Sequence, residues 1–223
     1  APVVVVKELE TQDYVGGAAI VAAHVATLGG QCTYISVTGS DSPAKFVASR
    51  LANFGVNVQL LEDISRPTTF KIRYLVESQK LFRVSRLKEH SLPSRIEDKL
   101  VEEIANMAPE LDGILVSDFV YGVITPKVIE ALLAVSRQHQ LPLFGDLQCS
   151  SQVGDISRFQ QFSLICPTER EARIALSNHD DGVEYVANLL REKTQSANLV
   201  LKLGAEGFIA YAGEDSGEVL QRQ

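Results

Sequence analysis

The stretch GILVSDFVYGVITPKVIEALLAVSRQHQLPLFGD, residues 113–146, reads as strand, helix, strand. Gly113 to Val116 is a short apolar run. Thr125-Pro126 has the chemistry of a helix start, and the helix is expected to run to about His139. Leu141 to Phe144 is a second apolar run. Strands of this length without polar alternation suit a sheet buried on both faces, and a helix between them makes the sheet parallel. Each strand is followed by an acid, Asp118 and Asp146. Ligands in such sheets bind beyond the carboxyl ends of the strands.

The alternation continues outward in both directions. Toward the C-terminus, strands are expected at Leu164–Ile165 and Leu199–Leu203, separated by helices over Glu169–Leu176 and Val183–Glu192. Toward the N-terminus, Arg95 to Met107 is an amphipathic helix, and Tyr34–Val37 and Val56–Leu61 read as strands. Asp41 or Ser42 caps a helix whose apolar residues, Phe46, Val47, Leu51 and Phe54, recur at helical spacing. Ala18 to Leu28 is a small-residue, buried helix stopped by Gly29-Gly30. Val3 to Val6 reads as a strand. Thr68–Val76 and Leu81–Val84 read as two strands joined around Ser78-Gln79, with Lys71 and Arg73 on a wet face and Ile72 and Tyr74 on a dry one.

Composition narrows the function classes. A chain of 223 residues with 45% hydrophobic content supports one sizeable core. A net charge of -7 argues against nucleic-acid or anionic-membrane partners. Cys32, Cys149 and Cys166 have no metal-ligand spacing and read as reduced, buried thiols of a cytoplasmic protein. The Val3–Val6 run is too short to span a bilayer. No Ser-His-Asp order, phosphate-binding P-loop or zinc motif is present.

Six places can carry chemistry, and each has a plain structural reading beside it. Gly16-Gly17 opens a helix and admits either a ligand at the helix N-terminus or tight packing. Asp118 is a ligand-binding acid or a turn aspartate bonding its own backbone. Asp146 is a strand-end ligand site or a surface acid. Pro167-Thr168-Glu169-Arg170-Glu171 is ordinary helix-start chemistry, or a place where Glu171 orders water around magnesium and phosphates. Lys202-Leu203-Gly204-Ala205-Glu206-Gly207 is a turn between two apolar strands, or a wall against a nucleotide. The basic set Lys71, Arg73, Arg83 and Arg86 is a solvated strand face or a substrate-phosphate site.

The order of these elements resembles the ribokinase-like (pfkB) carbohydrate kinases over nearly the whole chain. The carrying segments are VGGAAIVAAHVATLGG at 15–30, PTTFKIRYLVESQKLFRVSRL at 67–87, LVSDFVYG at 115–122 and VLKLGAEG at 200–207. Within the family the likeness is greatest to the heptose-7-phosphate kinase domain of ADP-heptose and lipopolysaccharide-core biosynthesis. The resemblance implies a three-layer α/β/α fold with a mainly parallel sheet and a small β lid. It implies one such domain over residues 1–223, incomplete at both ends, with lid strands near 3–6, 68–76 and 81–86. It implies transfer of the γ-phosphoryl group of ATP to a sugar or sugar-phosphate hydroxyl, with Mg²⁺, and a homodimer paired through the lid.

By the same likeness, Gly16 and Gly17 lie against the sugar, and Lys71, Arg73 and Arg83 face a phosphosugar from the lid. Asp118 lines the cleft. Asp146, Thr168, Glu171, Lys202, Gly204 and Gly207 border the nucleotide, with Glu171 reaching Mg²⁺ through water. The family's sugar-binding aspartate is expected before Ala1 and its catalytic aspartate after Gln223. Several positions depart from the family pattern: Ile20 and Thr168 stand for asparagines, Tyr121 and Gln148 for lysines, Leu147 for proline and Lys202 for threonine. These departures leave a second expectation open, a kinase fold that binds a sugar or nucleotide, or dimerises, without turnover. A Rossmann oxidoreductase shares the sheet but needs a GxGxxG after an early strand, and none is present.

Overall fold

A computed structural model describes residues 5–76, 79–149 and 153–213, and the backbone of 219–220. The helices are α1 (Ala18–Thr27), α2 (Ser42–Asn53), α3 (Ser94–Met107), α4 (Pro126–His139), α5 (Glu169–Leu176) and α6 (Val183–Thr194). The strands are β1 (Thr33–Thr38), β2 (Asn57–Glu62), β3 (Phe70–Val76), β4 (Gln79–Arg86), β5 (Ile114–Asp118), β6 (Leu143–Leu147), β7 (Leu164–Ile165), β8 (Asn198–Lys202), β9 (Phe208–Tyr211) and β10 (Val219–Leu220). None of the described helices is long and apolar enough to cross a membrane.

Caps account for the sharp helix starts. Asp41 accepts the Ala44 amide to begin α2, and Thr125 accepts the Val128 amide to begin α4, each with a proline in the first turn. The 113–146 stretch forms the expected βαβ unit. β5 and β6 pair in parallel from Ile114↔Leu143 to Asp118↔Leu147, and α4 crosses between them.

The main sheet has six strands in the order β10-β9-β8-β7-β6-β5. The β5-to-β8 part is parallel, and β9 and β10 are antiparallel additions. β1 and β2 form a separate parallel pair, and β3 and β4 a separate antiparallel hairpin, called the flap below. Helices lie on both sides of β1–β2. Ile35 and Val37 point into the large core that also holds α3 and α4, while Tyr34 and Val58 point into a small core with α1 and α2.

Packing beneath the sheet centres on Phe159 and Phe162, both fully buried and stacked at 4.8 Å. Burial of each contributes about 1.5–3 kcal/mol. A Cβ on Gly145 would stand 2.7 Å from Phe159 and 2.9 Å from Phe162, so only glycine lets β6 lie against both rings.

Four expectations need correction. Val3 and Val4 lie outside the described residues, and Val5 and Val6 belong to no strand and are exposed. The strands are not covered on both faces throughout, because Leu115 and Phe144, adjacent in register, are 48% and 36% exposed. The flap's dry face is only partly covered: Ile72 and Tyr74 are half-buried, but Val84 and Phe82, opposite them on β4, are exposed. The three cysteines are half-buried rather than buried, and none is in a disulfide.

Candidate functional site

The parallel strands β5 to β8 all end on one rim, and that rim gathers most of the sequence-predicted residues. It divides into two parts.

The first part forms around the turn after β5. Asp118 ends the strand almost fully buried. Its carboxylate accepts the Val120 amide at 2.8 Å and pairs with Arg158 Nη1 at 3.3 Å, while Arg158 also donates to the Ile124 carbonyl. Burial raises the Asp118 pKa above the usual carboxylate value, although the Val120 amide and the Arg158 charge oppose that rise. Val120 holds a positive φ of 61°, a costly conformation for a β-branched residue. Such strain, about 1–3 kcal/mol, collects where function requires it. Asp118, Val120, Thr125 and Arg158 line a recess of about 410 Å³ that also takes in Glu89 and Glu130.

Beyond Val120 the turn carries two aromatic rings, Phe119 and Tyr121, stacked at 6.4 Å. Gly17, at the N-terminus of α1, has φ 62° and ψ -144°, which other residues avoid. A Cβ there would meet Phe119 at 3.6 Å, whereas Gly16 faces open space. The flap arrives from above. Lys71 Nζ donates to Tyr121 Oη at 2.5 Å and lies 4.9 Å from the ring centroid. Arg73 is two residues along β3 and Arg83 is directly opposite it on β4, so all three cations share the face that meets the turn.

The second part spans β6 to β8. Asp146 Oδ1 and Lys202 Nζ pair at 2.6 Å across the rim, both partly exposed. The Lys202 amide donates to the Pro167 carbonyl at 2.8 Å, and Thr168 bridges to Lys202, so the start of α5 is stitched to the end of β8. Thr168 and Glu171 form a capping box. Glu171 Oε2 accepts the Thr168 amide at 2.8 Å, and Oε1 accepts the Cys149 amide at 3.0 Å. The buried Glu171 therefore joins α5 to the segment after β6. Gly204 and Gly207 bracket a 3-10 turn closed by the Leu203 amide on the Gly207 carbonyl at 2.8 Å, and Gly204 faces open space.

The structure thus brings together Gly17, Asp118 and Lys71 around the Phe119–Tyr121 turn, and Asp146, Thr168, Glu171 and Lys202 along the neighbouring strand ends. Among the described residues no cluster of three or more His, Cys, Asp or Glu side chains could hold a metal ion. Sequence reasoning missed Arg158, whose partner is 40 positions away, and the aromatic surface of Phe119 and Tyr121. The signal for the second was present, as aromatics stand one and three residues after a strand-end acid.

Comparison with known proteins agrees with this layout. The pattern of the pfkB family carbohydrate kinase matches residues 1–223. The D-beta-D-heptose 7-phosphate kinase of Bordetella bronchiseptica is 33% identical over 223 residues, covering 98% of this chain and 68% of that protein. The "Bifunctional protein HldE" of Koribacter versatilis is 29% identical over 212 residues, 93% of this chain and 43% of its own length. This chain therefore spans 43% to 68% of the length of these relatives. In fold it is similar to phosphofructokinase-2 from Escherichia coli in complex with fructose-6-phosphate (TM-score 0.70, 20% identity, 89% of this chain and 65% of that one). It is similar in the same way to ribokinase from Giardia lamblia (TM-score 0.71, 15% identity, 88% and 64%).

Proposed function

We propose, from the premise that this chain belongs to the pfkB family of carbohydrate kinases, that it forms a ribokinase-like domain of an ATP-dependent kinase acting on a phosphorylated sugar of the heptose-phosphate class. The observation that carries the reading is the contact of Lys71 with Tyr121, which sets the cationic face of the flap against the turn at the carboxyl end of β5. Arg73 and Arg83, directly opposed on that face, present two guanidinium groups whose geometry suits an anionic substrate group.

In this reading the sugar lies between Gly16–Gly17 and the flap, with its phosphate on Arg73 and Arg83. Phe119 and Tyr121 offer apolar surface to its C–H groups. The nucleotide lies along the second part of the rim, its phosphates near Lys202 and the open side of Gly204. Phosphoryl transfer asks the protein mainly to hold the two substrates in line and to neutralise charge. Lys202 is oriented for that by Asp146. Magnesium, when bound, would supply neutralisation of the nucleotide's phosphate charge. The rim fits an ion carried by the nucleotide and held through water, not one caged by protein, because Glu171 has each oxygen on a backbone amide and Asp146 is paired with Lys202. None of these carboxylates is assigned as the base for the sugar hydroxyl. The open apolar face of the flap suits pairing with a second copy.

A second reading, binding without turnover, is favoured by Ile20. It is exposed on α1, where the resemblance places an asparagine that bonds the sugar. One assay separates the two. The full-length protein is mixed with ATP and Mg²⁺ and with heptose 7-phosphate, fructose 6-phosphate or unphosphorylated sugars, and ADP release is followed. Sugar-dependent ADP release with a preference for phosphorylated acceptors supports the kinase. Calorimetric binding of ATP or sugar phosphate without ADP release supports the second reading and ends the first.

A further inference from the structure

The flap is attached to the body by two legs, residues 63–69 leading into β3 and residues 87–93 leading out of β4. Arg66, on the first leg, is 6% exposed, and all the partners of its guanidinium are fixed groups. Nε donates to Asp63 Oδ2 at 2.7 Å. Nη1 donates to the Tyr121 carbonyl at 3.0 Å. Nη2 donates to the His90 carbonyl at 2.8 Å and the Ser91 carbonyl at 3.3 Å. One side chain therefore bonds its own leg, the opposite leg and the turn after β5.

The surroundings reinforce that junction. Asp63 is 2% exposed, and its second oxygen accepts the Ser65 amide at 2.9 Å and hydroxyl at 2.6 Å. The Ser65 hydroxyl also meets His90 Nε2 at 3.0 Å. The Leu92 amide donates to the Gly122 carbonyl at 3.2 Å, and a Cβ on Gly122 would fall 2.1 Å from the His90 carbonyl oxygen. On the other side, Thr68 accepts the Gly39 amide at 3.0 Å, and its own amide donates to Asp41 Oδ2 at 2.9 Å.

Stability alone does not explain this arrangement. A buried ion pair loses so much hydration that apolar residues of the same volume commonly hold a fold as well or better. What apolar residues cannot do is fix three chain segments at defined heights through directed bonds. A planar fork with five donors does this, and lysine, a single point of charge, does not.

We infer that Arg66 is the clasp of the flap, a positioning residue that ties both legs to the turn after β5 and thereby sets Lys71, Arg73 and Arg83 over the sugar end of the site. The link to the sugar rests on the kinase reading above, whereas the clasp itself does not. Tyr121 is held twice, by Arg66 at its carbonyl and by Lys71 at its hydroxyl. Motion at the leg junction therefore moves the platform and the cations relative to each other.

The test compares the full-length protein with Arg66→Met and Arg66→Lys by amide hydrogen exchange and steady-state kinetics. Exchange in 63–69 and 87–93 is expected to quicken about tenfold or more in Arg66→Met while α4 and β6 hold their rates. The KM for sugar phosphate is expected to rise about tenfold or more, with the KM for ATP little changed. Arg66→Lys, which keeps the charge but not the fork, falls between. Exchange that quickens evenly over the whole chain, or not at all, with both KM values moving together, overturns the inference. If the unaltered protein phosphorylates none of the sugars, the kinase reading fails. The exchange contrast then decides the clasp alone: loosening confined to the two legs retains it, and uniform loosening removes it.

Discussion

Arg73 on β3 and Arg83 on β4 stand directly opposite each other in the flap, on the face that also carries Lys71. Two guanidinium groups so placed can grip one phosphate between them.

The first prediction concerns that pair. Inorganic phosphate at millimolar concentration is expected to raise the melting temperature of the unaltered protein, since a ligand of the folded state stabilises by mass action. The rise is expected to be smaller in Arg83→Gln, and the variant is expected to bind sugar phosphate about tenfold more weakly by calorimetry. Equal phosphate responses in the two proteins would remove the flap from the anion site.

Lys202 is predicted to serve the nucleotide. Lys202→Met is expected to raise the KM for ATP about tenfold, the scale of one charge-assisted hydrogen bond, with the KM for sugar unchanged. A shift confined to the sugar KM would place Lys202 on the wrong side of the transfer. Asp146→Asn tests whether the partner matters, because it leaves the amine in place but loosens its 2.6 Å tether.

Thr168 and Glu171 are predicted to act first on stability. Thr168→Ala is expected to cost about 1 kcal/mol in urea unfolding through loss of the cap. Glu171→Ala leaves the amides of Thr168 and Cys149 without their acceptor and is expected to cost about 1–3 kcal/mol. Thr168→Asn keeps a capping side chain and is expected to stay within about 0.5 kcal/mol of the original. A large loss in Thr168→Asn would show that the threonine methyl, not the cap, is what matters.

Two buried aspartates are predicted to give opposite pH slopes. Burial pushes Asp63 up, but the Ser65 hydroxyl and amide and the Arg66 bond and charge outweigh it, so the carboxyl sits below the usual range. Its contribution is present above the unfolded carboxylate pKa and is lost as pH falls through the depressed folded value. Asp118 is raised by burial, so its contribution is present below the unfolded value and is lost as pH rises through the folded one. Thermal melts from about pH 7 to about pH 3 should show the unaltered protein losing ground to Asp63→Asn and gaining on Asp118→Asn. Parallel slopes for the two variants would contradict the assignment.

Helices were legible in the sequence because their ends are written in local chemistry. Asp41, Thr125 and Thr168 each accept an amide three residues on, and the expected spans agree with α2, α4 and α5 to within a residue or two. The acids at strand ends were legible for the same reason, since a βαβ unit aligns its strands by construction. Long-range partnership was not legible. Arg158 meets Asp118 from 40 positions away and Arg66 meets Tyr121 from 55, and no pattern in either neighbourhood names the other. The separation of β1–β2 from the main sheet was equally hidden, because pairing between strands depends on backbone edges rather than side-chain type.

The two ends of the Arg66–Tyr121 bond also leave the ribosome at different times. The flap hairpin, closed by local contacts, is synthesised before the turn that anchors it. Until residue 121 emerges, its Tyr74–Phe82 face and its arginine-lined face belong to a detached hairpin, and two-stranded hairpins are marginal in water. Synthesis therefore passes through an interval in which a sticky β edge waits for its dock. Chaperone occupancy along the nascent chain is expected to peak in that interval and to fall once β5 and its turn are out.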